Sequence, residues 1–244
     1  MSKPRKPTGT TGPFEVTFGE SKATVTWQTA SFSSQKEEIE AGVAEGFLRE
    51  VDRQQLFSFT VNAVRQNLQN DLDFTLETSE GGKYLELMEI APLTDNGGRY
   101  DEATGSYNPY DRSSGIMSEV LKKSRRYRST ATDTPILLVV YNTHWAFDLG
   151  DTALMLLQYF AQATEHCFER IYFYRPSSER SGTAYDVFPT PPEHWAGFNP
   201  EVCRDDVAYN LIPAAIEVCP EGGAAIPLTP RPTRTRAKSR AGDR

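Results

Sequence analysis

Residues 71–90 have the sequence DLDFTLETSEGGKYLELMEI, and this stretch decides the fold. Apolar and polar side chains alternate over residues 72–77, residues 83–90 are rich in apolar side chains, and the SEGG segment between them is typical of a tight turn. The stretch therefore predicts two neighbouring antiparallel strands. It puts an acidic residue, Asp73, at the opening of the first strand and a second one, Glu86, inside the next.

Upstream of this pair, the sequence predicts a hairpin and a long helix. Residues 14–27 alternate apolar and polar positions across the segment GESK, which predicts the hairpin. Apolar side chains then recur every four residues from Ile39 to Val51, which is the stripe of an amphipathic helix. Ser34 and Glu37 form a capping-box pattern at the start of that helix.

The segments on either side of the strand pair are less regular. Residues 56–68 predict a second amphipathic helix, although their first six residues, LFSFTV, are equally typical of a strand. Residues 91–114 are rich in Gly, Asn, Asp and Tyr and show no periodicity. A loop of that length in a compact domain is usually a lid, a binding loop or a disordered excursion.

The second half of the chain predicts alternating helices and strands. A basic helix over residues 116–128 precedes the β-branched run 135–142, which is typical of a fully buried strand. Asp151 is the expected N-cap of an apolar helix, and residues 170–174 form a further strand. Short connections imply a right-handed crossover, so strands 135–142 and 170–174 should pair in parallel.

These elements predict the α/β class, with a mixed central sheet flanked by helices. The order is helix, strand, strand, helix, strand, helix, strand, and one domain should span residues 13–175. We expect a disordered N-terminus over residues 1–12 and a Pro-rich extension over residues 176–221. Residues 222–244 should form a disordered basic tail.

The net charge of −7 is distributed unevenly along the chain. Residues 229–244 carry +5 and residues 116–128 carry +4, so the remainder carries −16. Such a body repels nucleic acid except at a local basic face or through a bound divalent metal. The alternative is that the acidic surface only keeps the protein in solution.

Several classes of protein are disfavoured by missing patterns. No apolar run approaches the roughly 20 residues that cross a bilayer, so we expect no membrane partner. The three cysteines show no CxxC spacing, which argues against a disulfide framework or zinc knuckle and favours a reducing cytoplasm. No GxSxG, HExxH, Walker A or GxGxxG motif supports a serine hydrolase, zincin, nucleoside triphosphatase or dinucleotide-binding protein.

One family fits the arrangement of these residues. Asp73 opens one strand and Glu86 lies in the next, followed by a basic helix ending in KKSRRY and the buried strand PILLVVY. This order resembles the PD-(D/E)xK restriction-endonuclease-like superfamily over roughly residues 34–175. The resemblance implies Mg²⁺- or Mn²⁺-dependent hydrolysis of DNA, with Asp73 and Glu86 as catalytic metal ligands. Carboxylate oxygens are ligands that suit Mg²⁺.

Met88 departs from the pattern of that superfamily, which has a lysine two residues after the glutamate. Met88 lies on the same strand face as Glu86, but a thioether can neither carry positive charge nor orient water. In one explanation the lysine has moved to the basic helix. At about 100° per residue, Lys123 falls about 80° from the centre of the buried helix face, whereas Lys122 points roughly the opposite way.

In the other explanation, the site is inactive and the fold remains as a module that binds nucleic acid or a partner protein. Partners other than DNA therefore stay open, including a protein partner, a homodimer, or an interaction through the loop 91–114. The sequence does not choose between a relocated lysine and a lost activity.

Glu40 is a candidate for a third metal ligand. By the same angular count it lies about 20° from the centre of the apolar stripe of the first helix. An inward-facing glutamate is costly unless it is paired or bound to metal. The resemblance implies that a glutamate from this helix reaches the metal. The alternative is a solvated Glu40 near the positive end of the helix dipole.

The basic helix also predicts a nucleic-acid contact. The candidate residues are Lys122, Arg125, Arg126, Tyr127 and Arg128, with the cations on phosphates and the tyrosine on a sugar or base. The alternative is an ordinary solvated last turn that favours cations. Asn142, His144 and Asp148 follow a buried strand, where α/β proteins often bind ligands, although a lone histidine serves structural roles equally well.

Overall fold

A computed structural model describes residues 14–18, 22–27, 35–67, 72–90, 106–128, 133–143, 147–178, 180–209, 217–218 and 223–227. The chain divides into two compact units. Residues 1–13 and 27–212 belong to the first unit, and residues 14–26 and 213–244 belong to the second.

The described residues form twelve strands and three α-helices. The strands are β1 (Phe14–Phe18), β2 (Lys22–Trp27), β3 (Val61–Gln66), β4 (Phe74–Thr78), β5 (Gly81–Glu89), β6 (Ser106–Tyr107), β7 (Ile136–Tyr141), β8 (Arg170–Ser178), β9 (Ser181–Phe188), β10 (Ala208–Tyr209), β11 (Glu217–Val218) and β12 (Gly223–Pro227). The helices are α1 (Lys36–Gln54), α2 (Pro109–Arg128) and α3 (Asp151–Ala163). Two 3-10 helices cover Pro192–Trp195 and Pro200–Cys203.

The first unit is built on a six-stranded sheet in the order β3-β4-β5-β7-β8-β9. Strand β4 is antiparallel to both β3 and β5. Strands β5, β7 and β8 run parallel, and β9 returns antiparallel to β8. The prediction of an α/β fold with a mixed sheet flanked by helices is confirmed. The parallel pairing of β7 with β8 is confirmed as well.

Helix α1 covers one face of this sheet. Val43, Phe47 and Val51 are buried there, as the four-residue stripe predicts, and the Phe47 ring lies 5.2 Å from the ring of Tyr172 on β8. Each such side chain contributes roughly 1.5–3 kcal/mol by leaving water. The residue before the helix is Gln35, which makes no side-chain cap, and the predicted cap Ser34 lies outside the described residues.

Helices α2 and α3 cover the opposite face. Val120 of α2 and Leu157 of α3 pack with Met88 of β5 and Val140 of β7 in one apolar cluster. All six residues of β7 are buried, because the strand lies in the middle of the sheet with helices on both sides. This burial explains why its sequence is apolar without alternation.

The predicted helix over residues 56–68 is wrong, because residues 61–66 form the edge strand β3 instead. The apolar residues that suggested a helix, among them Phe57 and Phe59, lie in the connection before the strand and pack against the α1 face. Backbone pairing with β4 then fixes Val61–Gln66 as a strand, although most of its side chains are exposed.

Helix α2 begins at Pro109, seven residues before the predicted start, and residues 91–105 of the predicted loop lie outside the described residues. The Asn108 side chain accepts a hydrogen bond from the Asp111 backbone N–H at 3.0 Å. An asparagine cap followed by proline is a favoured start of a helix, because proline lacks the N–H that would go unpaired there. At α3, the cap is Gly150 rather than Asp151.

The sheet also continues past the predicted domain end at residue 175. Strand β8 extends to Ser178, and β9 forms the edge of the sheet within the segment that we expected to be a Pro-rich extension. Pro176 is accommodated because the pairing of β8 with β9 is irregular after it. Prolines are tolerated at edges and bulges, where a missing N–H costs little.

The second unit contains a four-stranded sheet in the order β1-β2-β12-β11. The predicted hairpin strands within residues 14–27 are confirmed as the neighbours β1 and β2. Strand β12 pairs antiparallel with β2, so part of the predicted disordered tail is a strand. Residues 1–12 and 228–244, also predicted to be disordered, lie outside the described residues.

None of the helices in the described part of the chain combines the length and the apolar character needed to cross a membrane.

Candidate active site

Two carboxylates meet where β4 and β5 pair. Phe74 lies opposite Leu85, which brings Asp73 beside Glu86. The Asp73 backbone N–H donates to Glu86 Oε2 at 3.3 Å, and the Leu87 N–H donates to Asp73 Oδ2 at 2.7 Å. Each acidic side chain is thus held by a backbone donor of the other strand, so the carboxylates converge.

Lys123 of α2 reaches this pair from the helix above it. Its ammonium forms an ion pair and hydrogen bond with Glu86 Oε1. The Glu86 side chain is 2% exposed and that of Lys123 is 28% exposed. Lys122 instead is exposed and contacts Glu119 at 2.6 Å. The predicted orientations of the two lysines are therefore confirmed.

Met88 takes part in packing only. It is buried in the apolar cluster between the sheet and helices α2 and α3. The cation near Glu86 therefore comes from a residue 37 positions along the chain, not from the strand that carries Glu86.

Tyr127, one helical turn after Lys123, also contacts Glu86. Its side chain is buried at 4% exposure, and its hydroxyl donates a hydrogen bond to the Glu86 carboxylate. Burial, followed by this bond, raises the pKa of Tyr127, so the hydroxyl stays protonated and remains a donor. The expected stacking of Tyr127 on a sugar or base does not fit this position, because the ring lies inside the core.

The surroundings of Glu86 disfavour its ionised form unless positive charge is close by. Burial raises the pKa of Glu86 and the neighbouring charge of Asp73 raises it further, whereas Lys123 and Tyr127 act in the opposite direction. A carboxylate removed from water beside a second carboxylate gains from any added positive charge.

Glu40 is buried at 8% exposure, so it is not the solvated side chain of the alternative. Lys36 Nζ lies 3.0 Å from Glu40 Oε1. Burial raises the pKa of Glu40, Lys36 lowers it, and the charge of Asp73 raises it again. Glu40 therefore lies within electrostatic reach of Asp73, on the α1 side of the site.

The carboxylates of Asp73 and Glu86 are compatible with Mg²⁺ or Mn²⁺ only in a binding mode that uses few protein ligands. Among the described residues, no group of three or more His, Cys, Asp or Glu side chains is arranged to hold a metal ion. Mg²⁺ is commonly bound through one or two carboxylates and keeps several waters. Asp73 and Glu86 supply two carboxylates, the number that this mode requires, and they do not form a closed protein cage.

Three cations near the end of α2 lie on its outer side. Arg125, Arg126 and Arg128 are exposed, and Arg128 contacts Glu165 at 3.0 Å. They share the helix that carries Lys123, so the exposed basic surface lies on the element that contacts Glu86.

The residues that follow β7 form a structural clamp. Asp148 Oδ1 lies 2.7 Å from Arg175 Nε, and the same guanidinium also donates to the Leu149 carbonyl at 2.8 Å and to the Tyr185 hydroxyl at 2.9 Å. Asn142 is buried, and His144 lies outside the described residues. Asp148 therefore contacts Arg175 rather than Glu86.

Lys36 was not predicted from the sequence, and Tyr127 was predicted to contact a nucleic acid rather than Glu86. The burial of Tyr127 separates it from the exposed arginines of the same helix. The only signal for Lys36 in the sequence is its spacing of four residues from Glu40, which is that of an ordinary ion pair on a helix. Its position beside Asp73 depends on how α1 packs, which the spacing does not contain.

Neither a protein-family model, nor a curated protein, nor a solved structure matches this chain. Function therefore has to be inferred from the contacts around Glu86.

Proposed function

We propose that the chain is a metal-dependent nuclease with a restriction-endonuclease-like fold, which hydrolyses phosphodiester bonds in DNA. The observation that carries this proposal is the contact between Lys123 and Glu86 beside Asp73. It supplies, from α2, the positive charge that Met88 lacks.

Each residue has a distinct role in this proposal. Asp73 and Glu86 would hold Mg²⁺ or Mn²⁺, with Glu40 as an outer ligand. The metal would lower the pKa of a bound water and offset charge on the scissile phosphate. The Lys123 ammonium, partly exposed, orients the attacking water and neutralises Glu86. Tyr127 fixes the Glu86 carboxylate through its hydroxyl.

The charge of the site supports binding of one more cation. Three carboxylates, of Asp73, Glu86 and Glu40, face two ammonium groups, of Lys36 and Lys123. One negative charge is left over, and a divalent ion reverses the sign of the site. A net positive site attracts a phosphodiester anion, whereas the acidic chain as a whole repels it.

DNA would reach the site along the outer side of α2, through Arg125, Arg126 and Arg128. Lys122 is left out of the proposed interface, because it points away from Glu86 and Glu119 offsets its charge. The free thiols of Cys167 and Cys203 support a reducing, cytoplasmic environment for this activity.

The test compares two neighbouring lysines. Purified protein is incubated with linear and nicked DNA and with Mg²⁺ or Mn²⁺, and initial cleavage rates are measured. Lys123→Met should lower the rate by at least about 100-fold, the scale of a lost proton-handling or electrostatic group. Lys122→Met, the control, should cleave as the unmodified protein does. Equal rates for the two variants would reject the role of Lys123.

A second candidate function is a catalytically silent nuclease-fold module that binds nucleic acid or a partner protein. It is favoured by the lack of a three-residue metal cluster among the described residues and by the ion pair that already neutralises Glu86. This function predicts salt-sensitive DNA binding without turnover in Mg²⁺ or Mn²⁺.

A further inference from the structure

Lys36 is a second lysine at the acidic site, and it lies on the solvent side. Its ammonium is 3.0 Å from Glu40 Oε1, and its side chain is 72% exposed, against 11% for Glu40. Lys123, by comparison, is 28% exposed. The site therefore has one inner lysine and one outer lysine.

The first turn of α1 is connected to the neighbourhood of Asp73 through the end of β3. The Gln66 side-chain amide donates to the Glu37 carbonyl at 3.1 Å, and Gln66 pairs with Phe74, the residue after Asp73. The Asn67 backbone N–H donates to the Asp73 carbonyl at 2.8 Å. The end of β3 thus connects the turn that carries Lys36 to the strand that carries Asp73.

The two lysines approach the site from opposite sides of the sheet. Helix α1 covers one face and α2 covers the other, so Lys36 adds a positive charge on the side of the acidic pair opposite to Lys123 and the exposed arginines of α2. We propose that Lys36 binds a DNA phosphate next to the scissile one, on the α1 side of the site. This inference depends on the proposed DNA substrate.

The existing contact of Lys36 does not prevent this role. The Lys36 ammonium carries three donors and its side chain is 72% exposed, so it can bind a phosphate from the solvent side while it keeps its contact with Glu40. The lysine stem is flexible and its ammonium donates in several directions, which suits a phosphate whose position varies. A chain of net charge −7 needs such local cations to hold a polyanion.

The experiment measures binding of short fluorescent DNA to the full-length protein over a series of salt concentrations, with Ca²⁺ in place of Mg²⁺ so that the site keeps a divalent ion, and a denaturing gel checks that the DNA stays intact. Lys36→Gln should weaken binding about threefold to tenfold at low salt and reduce the salt slope by about 0.7–0.9, the loss of one phosphate contact. Lys36→Arg should restore both quantities, because it keeps the charge.

Arg49→Gln is the matched control. Arg49 also lies on α1, is 62% exposed and makes an i,i+4 ion pair with Glu45 at 2.8 Å. It is roughly 20 Å further along the helix, so its loss removes the same charge at a distance from Asp73. Arg49→Gln should leave both the affinity and the salt slope unchanged.

The outcomes separate this inference from the proposed catalysis. Unchanged binding by Lys36→Gln, or an equal loss for Arg49→Gln, overturns the inference even if Glu86-dependent cleavage is observed. A reduced salt slope for Lys36→Gln alone, without any metal-dependent cleavage, supports the phosphate contact and rejects the nuclease.

Discussion

Strand β5 carries two lysine–glutamate clusters that differ in which charge is buried. At Lys83 the cation is buried, with a side chain 6% exposed, and its partners Glu169 and Glu80 are 37% and 48% exposed. The Lys83 ammonium also lies 4.8 Å from the centre of the Phe59 ring. Its charge is satisfied by acids that water already screens.

At Glu86 the buried charge is the anion. Its side chain is 2% exposed, its one lysine partner is Lys123, and a second carboxylate, Asp73, is adjacent. A buried cation with hydrated acids is a stable structural contact, whereas a buried anion beside another anion favours further positive charge. Both clusters contain an ion pair. The sign of the buried charge is what distinguishes the candidate site at Glu86 from the structural contact at Lys83.

The largest expected difference between the two clusters is in cleavage. Glu86→Gln should lower metal-dependent DNA cleavage by about 10³-fold, because it removes charge where the transition state needs it. Lys83→Met should leave the cleavage rate unchanged and lower the free energy of unfolding by about 1–2 kcal/mol, through lost charged hydrogen bonds and the ring contact. Initial rates and urea unfolding measure both effects. A large loss of cleavage in Lys83→Met would remove the distinction between the clusters.

Divalent cations should stabilise only the Glu86 cluster. At a Mn²⁺ concentration 100 times the dissociation constant, the folded protein should gain about 2.7 kcal/mol. This gain should disappear in Asp73→Asn and persist in Lys83→Met. Thermal unfolding with and without Mn²⁺ measures the change. The same gain in all three proteins would place the bound ion elsewhere.

A lysine moved back to the strand should restore part of the activity. Met88 shares the face of Glu86 and lies under α2, so Met88→Lys introduced into Lys123→Met should raise the cleavage rate about tenfold, or about 1.4 kcal/mol in activation free energy. Met88→Leu in the same background is the control, since it conserves volume without charge. Equal rates for the two double variants would contradict the relocation of the lysine.

The smallest expected effect is on the pH dependence of stability. Burial raises the pKa of Glu86 and of Glu40 above the ordinary value of 4.5, so the folded protein binds these protons more tightly than the unfolded chain. Their contribution is therefore present below pH 4.5 and is lost as the pH rises through the raised values. Urea unfolding between about pH 4 and pH 8 should show a flatter dependence for Glu86→Gln. If the free energy of unfolding of Glu86→Gln changed with pH as that of the unmodified protein does, Glu86 would be excluded as the source of the pH dependence.

The parts of the fold with strong periodicity were predictable from the sequence. The α1 stripe and the apolar run of β7 each follow from burial against the sheet, and both were predicted correctly. Strand β3 was not, because its identity depends on backbone pairing with β4 rather than on its exposed side chains. The start of α2 was marked by Asn108 and Pro109, and a closer reading of those two residues predicts it.

The candidate site was predictable to the extent that helical geometry is regular. The angle of Lys123 along α2 indicated contact with the sheet, and the structure puts its ammonium on Glu86. The position of Lys36 depends instead on how the end of β3 holds the first turn of α1. That contact joins residues about 30 positions apart, which no local pattern records.

The two hydrogen bonds that join Asp73 to Glu86 and to Leu87 have a consequence for the order of assembly. They join residues of one short hairpin, and local hairpins close within about 1–10 μs. Lys123 arrives only when α2 docks, because it is separated from Glu86 by 37 residues. During folding, the two acids are therefore brought together before their lysine is in place, so a divalent ion in solution would promote the early hairpin.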